Sequence, residues 1–158
     1  MIPQRPMNLT AFTLCMRVAT ELSGQRAIIL FAYRTGNYDE LNVWRELDGR
    51  LSFYMAGDPV LFKVPELGAL QTHLCVTWDS TSGLAALFLD GKRSLSKIYR
   101  KGHTVRAGGR VILGQDPDFY LGEREPRGNV FDWESTELRI NGDVEVAIRE
   151  LYTPEADV

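Results

Sequence analysis

The feature that most constrains this chain is a two-residue period. In "TAFTLCMRVATEL" Phe12, Leu14, Met16 and Val18 alternate with Thr13, Cys15, Arg17 and Ala19. Successive side chains of a strand point to opposite faces, so the pattern predicts a strand with one face in a core.

Turn chemistry extends the reading. Asp48-Gly49 separates "LNVWREL" from "LSFYMAG", Asp90-Gly91 follows the apolar run Leu84 to Leu89, and Asn141-Gly142 interrupts "LRINGDVEV". Such pairs between strand-like runs are signals for type I′ hairpins. The clusters "AGDP" and "DSTSG" mark further turns, and no capped amphipathic stretch predicts a helix. The expected fold is all-β: one antiparallel β-sandwich with Greek-key or jelly-roll links. At 158 residues, 44% of them hydrophobic, the chain is long enough to bury a real core in one domain. No run approaches the roughly 18 apolar residues of a membrane-spanning helix.

"HLCVTWDS", residues 73–80, places a histidine, a cysteine and a tryptophan together. On a strand, Leu74, Val76 and Trp78 share the core face, which turns His73, Cys75 and Thr77 the other way. Cys15 likewise lies opposite Phe12, Leu14 and Met16. Two cysteines on the non-core faces of two strands suit a cross-link between neighbours, closing a separation of 60 residues. Such a bridge stabilises by roughly 4 kcal/mol in the loop-entropy account and implies an oxidising, extracellular compartment. A closed Cys/His zinc site would need both cysteines and both histidines, His73 and His103. The stretch reads as scaffold.

The net charge of −3 argues against a generic nucleic-acid binder. The average conceals an asymmetry. Lys92, Arg93, Lys97, Arg100, Lys101, Arg106 and Arg110 fall in a segment without acids, whereas residues 132–157 are predominantly acidic. These are either solvated faces, surfaces that meet head to tail between copies, or, for the basic segment, a binder of anionic polymers.

"HLCVTWDS" also fits the pattern H-x-C-x-[ST]-W-x-[ST] of the pentraxins, and "AFTLCMRVATEL", "LFKVPE", "DGK", "KGHTV", "VILGQDPD" and "GNVFDWESTELRINGDVEV" follow in family order. The chain therefore resembles a short pentraxin of the C-reactive protein and serum amyloid P class. The resemblance implies a concanavalin-like jelly roll over residues 1–158, and a secreted pattern-recognition protein of innate immunity and the acute phase. It further implies a cyclic homo-oligomer, a pentamer in the family, and complement-type effector partners. Two departures stand out. The N-terminal strand is short, and Met1 followed by "IPQRP" reads as an engineered start with no leader visible. "GQDPDFYLGEREPRGNVFDW" passes from the calcium loop almost directly to the C-terminal strands, so an internal deletion is expected near residues 124–128. A smaller ring, such as a trimer, is the alternative this deletion raises.

The resemblance also supplies site residues. Calcium takes six to eight oxygen ligands, and the candidates are Asp39, Asp116, the backbone carbonyl of Pro117, Asp118 and Glu125. Tyr38 beside Asp39 leaves one oxygen ligand fewer than the family has, so one ion is expected rather than two. Trp44 would form the aromatic wall of a phosphocholine pocket through cation–π attraction, with Tyr54 at its floor. Pro59 stands where the family has a glutamate, and Asp58 is the adjacent substitute. The alternative function is a calcium-free oligomer that binds anionic polysaccharides or similar ligands through residues 92–110. Asp132, Glu134 and Glu137 in "DWESTE" approximate the carboxylate spacing of jelly-roll glycosidases, but the acid types are permuted and the reading is not catalytic. Asn8-Leu9-Thr10 has the form of a glycosylation sequon and is read as ordinary surface.

Overall fold

The computed structural model describes residues 3, 6–19, 27–36, 38–68, 70–113, 138–140 and 143–144. The strands run in order: β1 (Ala11–Val18), β2 (Ile28–Arg34), β3 (Asp39–Arg45), β4 (Leu51–Met55), β5 (Asp58–Phe62), β6 (Thr72–Asp79), β7 (Leu84–Leu89), β8 (Lys92–Arg93), β9 (Lys97–Ile98), β10 (Arg110–Leu113), β11 (Leu138–Ile140) and β12 (Asp143–Val144). They form two antiparallel sheets. One has seven strands in the order β12-β11-β1-β6-β7-β8, with β9 also pairing with β7; the other has five in the order β10-β2-β3-β4-β5. The chain changes sheet after β1, β5, β9 and β10. Among the described residues there is no helix, and so none long and apolar enough to cross a membrane.

The alternation places the core where the sequence predicts it. Phe12, Leu14, Met16 and Val18 of β1 are buried with Leu74, Val76 and Trp78 of β6, and they face Leu41, Val43, Leu51, Phe53 and Met55 from the other sheet. Aromatic rings join the layers. Phe12 packs on Trp78 at 5.7 Å and on Phe53 at 6.2 Å, and Phe53 meets Phe62 at 6.0 Å and Tyr99 edge-on at 5.3 Å. Pairs of this geometry contribute about 0.5–1.5 kcal/mol each beyond their burial.

The turns are more varied than the sequence suggests. Leu89 pairs with Lys92, and Asp90 and Gly91 both have positive φ (48° and 80°), as a type I′ hairpin requires. Ala56 and Gly57 (φ 53° and 102°) make a second such turn between β4 and β5. Asp48-Gly49 differs from the expectation. Gly49 alone has positive φ there (82°), its N–H donates to the Glu46 carbonyl, and Glu46 N–H donates to Arg50 O. This is a three-residue loop ending in a bulge. The Asp48 carboxylate favours it by accepting from Arg50 N–H at 3.0 Å and from Arg50 Nε at 2.7 Å. Residues 141–142 lie outside the described residues, although pairing of Ile140 with Asp143 leaves two residues between the strands.

Cys15 and Cys75 sit directly opposite each other in the β1–β6 register, with Cα atoms 4.0 Å apart, and are joined by a disulfide. His73 Nε2 lies 3.8 Å from Cys75 Sγ. Cys15, His73 and Cys75 cluster as metal ligands would, but the disulfide removes both thiolates on which a zinc site depends. Full reduction should lower the melting temperature by an amount equivalent to about 2–5 kcal/mol. Thiol titration of the native, unreduced protein should find no free cysteine; two reactive thiols would overturn the assignment.

Candidate functional site

The solvent side of the five-stranded sheet carries two of the three predicted ligand residues, Trp44 and Tyr54. Along β3, Leu41 and Val43 enter the core, so Glu40, Asn42 and Trp44 point outward. On β4, Leu51, Phe53 and Met55 turn inward and leave Ser52 and Tyr54 on that outer face. Trp44 pairs with Ser52 and Asn42 with Tyr54, which sets Trp44 and Tyr54 diagonally adjacent. Both are half-buried.

Glu46 ties this face together. Its Oε1 accepts from the Tyr54 hydroxyl at 3.1 Å and from Ser52 Oγ. Burial and the neighbouring Glu46 carboxylate raise the Tyr54 pKa, so the phenol remains a donor. Asn42 is buried, and its Oδ1 has no hydrogen-bond partner. The face is therefore a polar strip with one tryptophan in it, more polar than an aromatic wall alone would be.

Asp58 is placed differently. It has the same parity as Val60 and Phe62, which face the core, so it does not join Trp44 and Tyr54. Its exposed carboxylate meets Arg100 Nη2 at 2.8 Å, and the same guanidinium donates to Ala56 O at 3.2 Å. The Tyr99 hydroxyl accepts from Met55 N–H at 2.6 Å and donates to Asp58 O. The Trp78 indole donates to Tyr99 O at 2.9 Å. This network fastens the β4–β5 hairpin to the chain beyond β9. It is scaffold at the margin of the site.

Asp39 opens β3, and its Oδ1 is 2.8 Å from Arg34 Nη1. Glu40, with a fully buried side chain, accepts from Arg106 Nε at 3.1 Å and from Arg106 N–H at 3.1 Å. The Arg106 guanidinium also lies 4.3 Å from the Tyr38 ring centroid. Tyr33 adds a second tie to this loop: its hydroxyl donates to Arg106 O at 2.7 Å and accepts from Gly109 N–H at 3.0 Å. The loop that feeds β10 is thus clamped to the β2–β3 hairpin. Sequence reasoning missed Glu40, Asn42 and Glu46. The alternation Glu40-Asn42-Trp44-Glu46 was the available signal, once its parity was set against Leu41 and Val43. The predicted Asp116, Pro117, Asp118 and Glu125 lie outside the described residues, as do Asp132, Glu134 and Glu137, the seam at 124–128 and most of the acidic C-terminal region.

The basic segment divides in two. Arg100 and Arg106 are committed to Asp58 and Glu40, while Lys92, Arg93, Lys97 and Lys101 are exposed. The exposed apolar residues Leu84, Leu95 and Ile98 lie in the same part of the sheet, with Leu84 paired to Ile98.

Comparison with known proteins agrees with this architecture. The family model described as "Pentaxin family" matches residues 1–127. Zebrafish C-reactive protein is 46% identical, over 92% of this chain and 80% of its own length. Human C-reactive protein is 37% identical, over 80% of this chain but 60% of its own length. A pentraxin fusion protein of Xenopus laevis is 47% identical over 78% of this chain and 30% of its own. The chain thus spans less than two thirds of several relatives it matches. A heptameric SAP-like pentraxin from Limulus polyphemus superposes with a TM-score of 0.67 at 20% identity, covering 95% of this chain and 72% of that one. A two-sheet jelly roll with a cross-strand disulfide defines the class of protein. The chain belongs to the pentaxin family.

His103 gives a testable electrostatic consequence. Its Nε2 is buried without a hydrogen-bond partner and its ring meets Trp78 edge-on at 6.3 Å. Desolvation first, and then the Arg100 charge, hold its pKa below the ordinary 6.5. Below that pH the unfolded chain takes up the proton more readily than the folded one, so stability falls as pH drops through 6.5 and levels off below the folded-state pKa. Urea titrations at about pH 7.5 and 5.5 should show a larger loss in the wild type than in His103→Gln. Equal losses in the two proteins would contradict this.

Proposed function

We propose that this chain is a secreted pattern-recognition protein of innate immunity that binds phosphocholine-like or other anionic surface ligands through calcium. The observation that carries the reading is family membership together with Trp44 and Tyr54 side by side on the strands that begin at Asp39. Trp44 offers a π-face to a quaternary ammonium. Asp39, Asp116, Pro117, Asp118 and Glu125 would hold one calcium ion, which supplies the positive charge that takes a ligand phosphate or carboxylate. Asp39 alone of these is described, and its engagement by Arg34 makes it an imperfect fit to a metal. We read the domain as single and internally shortened. The zebrafish alignment runs over 181 positions but draws on 92% of the 158 residues here, about 145, leaving about 36 positions of the relative without a counterpart. The function is binding, with complement-type effectors as partners and no catalytic step assigned.

A calcium titration followed by thermal unfolding tests the reading. Calcium at a hundred times its dissociation constant should stabilise the wild type by about 2.7 kcal/mol. The double substitution Asp116→Asn with Asp118→Asn should abolish that gain and leave the calcium-free melting temperature unchanged. A gain retained in the double variant would show that these acids are not the ligands. The calcium-free reading has its own support in the exposed Lys92, Arg93, Lys97 and Lys101, and it expects ligand binding that survives chelation.

Assembly into a closed ring accompanies either reading. The exposed cluster Leu84, Leu95 and Ile98 supplies apolar area, and the lysines around it supply orientation. A pentamer is the family form, and the Limulus relative is a heptamer. The internal shortening makes a smaller ring, such as a trimer, the alternative form. Sedimentation at moderate salt should reveal one discrete oligomer that Lys97→Glu with Lys101→Glu weakens. Arg100 is left out of that test because its pairing with Asp58 is part of the fold. A monodisperse monomer at micromolar concentration would rule the ring out.

A further inference from the structure

We propose that Arg34 is a built-in competitor for calcium: it holds the Asp39 carboxylate as an internal counter-ion and thereby sets the calcium affinity of this chain. The inference rests on the calcium reading above and names the residue that limits it. Arg34 closes β2, Asp39 opens β3, and the two are directly paired in the register. The Nη1–Oδ1 distance is 2.8 Å, with side-chain exposures of 20% and 40%.

The neighbouring position repeats the arrangement. Glu40 is neutralised by Arg106, whose guanidinium also packs on Tyr38. Both carboxylates at the head of β3 therefore already have a guanidinium partner, and this half of the site is electrically balanced without a metal. Calcium needs six to eight oxygens, carboxylates among them. An ion approaching Asp39 meets a like charge on the same carboxylate. It must displace Arg34 or forgo Asp39 as a ligand. Displacement is feasible at Arg34 and not at Arg106. Arg34 reaches Asp39 through one guanidinium nitrogen, whereas Arg106 holds Glu40 through both its backbone N–H and its Nε and also packs on the Tyr38 ring.

Isothermal titration of the full chain with calcium alone tests this. Arg34→Gln should bind calcium roughly two- to fivefold more tightly than wild type, the scale of one partly exposed ion pair. Arg34→Lys, which keeps the charge, should stay near wild type. Binding seen only in Arg34→Gln would also support the proposal. Equal affinity in wild type and Arg34→Gln overturns it while leaving the calcium reading intact. No binding in either protein overturns both. If Arg34→Gln fails to fold by near-ultraviolet circular dichroism, Arg34→Met is titrated in its place: tighter calcium binding than wild type supports the proposal, and equal affinity overturns it.

Discussion

The pairing of β1 with β6 is the constraint on which the rest depends. Eight successive positions pair, from Ala11 with Asp79 to Val18 with Thr72, with Cys15 and Cys75 in the middle. The side-chain period is two, so a one-residue slip would carry Phe12, Leu14, Met16 and Val18 to the outer face. The disulfide forbids that slip covalently. It joins residues that an alternating pattern had already placed on the same outward side. Phe12 and Trp78 are paired in the same register, so the aromatic contact between the two sheets follows from it.

The sequence made the strands and their inward faces legible because alternation is local. The same holds for the disulfide, which needs only the parity of two strands and their adjacency. Turn geometry was less legible. "DG" reads alike at 48–49 and 90–91, yet the first becomes a three-residue loop because the Asp48 carboxylate is drawn to Arg50. Contacts that depend on how the sheets stack were invisible. Glu40 with Arg106 is a separation of 66 residues, and Tyr99 with Met55 one of 44. Neither residue pair carries a spacing that a pattern could reveal. Asp58 illustrates the limit well: proximity to Pro59 in sequence suggested a pocket acid, but its parity sends it toward the other sheet.

Charge in this chain is used to secure loops. A basic run read from sequence alone looks like one surface. In the fold Arg100, itself half-buried, crosses to the β4–β5 hairpin. Arg106 crosses to the β2–β3 hairpin, where the buried Glu40 makes the pair less screened than one at the surface. The lysines stay outside. This division follows from chemistry, since a guanidinium can satisfy several acceptors in one plane whereas an ammonium is a strongly hydrated point charge. Arg100 uses that ability in reaching both Asp58 and Ala56 O.

The same contacts connect the Trp44–Tyr54 face to the basic edge. Tyr54 lies on β4, one residue before Met55, whose N–H is held by the Tyr99 hydroxyl. Tyr99 directly follows β9, the strand that carries Lys97 and the exposed Ile98. Its carbonyl accepts from Trp78, which belongs to the disulfide-bearing strand. Ala56 sits in the hairpin between them at φ 53°, a conformation that costs a non-glycine residue about 1 kcal/mol and persists only where neighbours fix it. Here Asp39 and Arg100 supply that fixing. Ala56 N–H donates to Asp39 O at 3.2 Å, and Ala56 O accepts from Arg100. A shift of Asp39 toward a metal would therefore be felt at the Ala56-Gly57 turn, and from there at Arg100 and Tyr99. Through that path the head of β3 and the exposed edge of the seven-stranded sheet share one hydrogen-bonded framework.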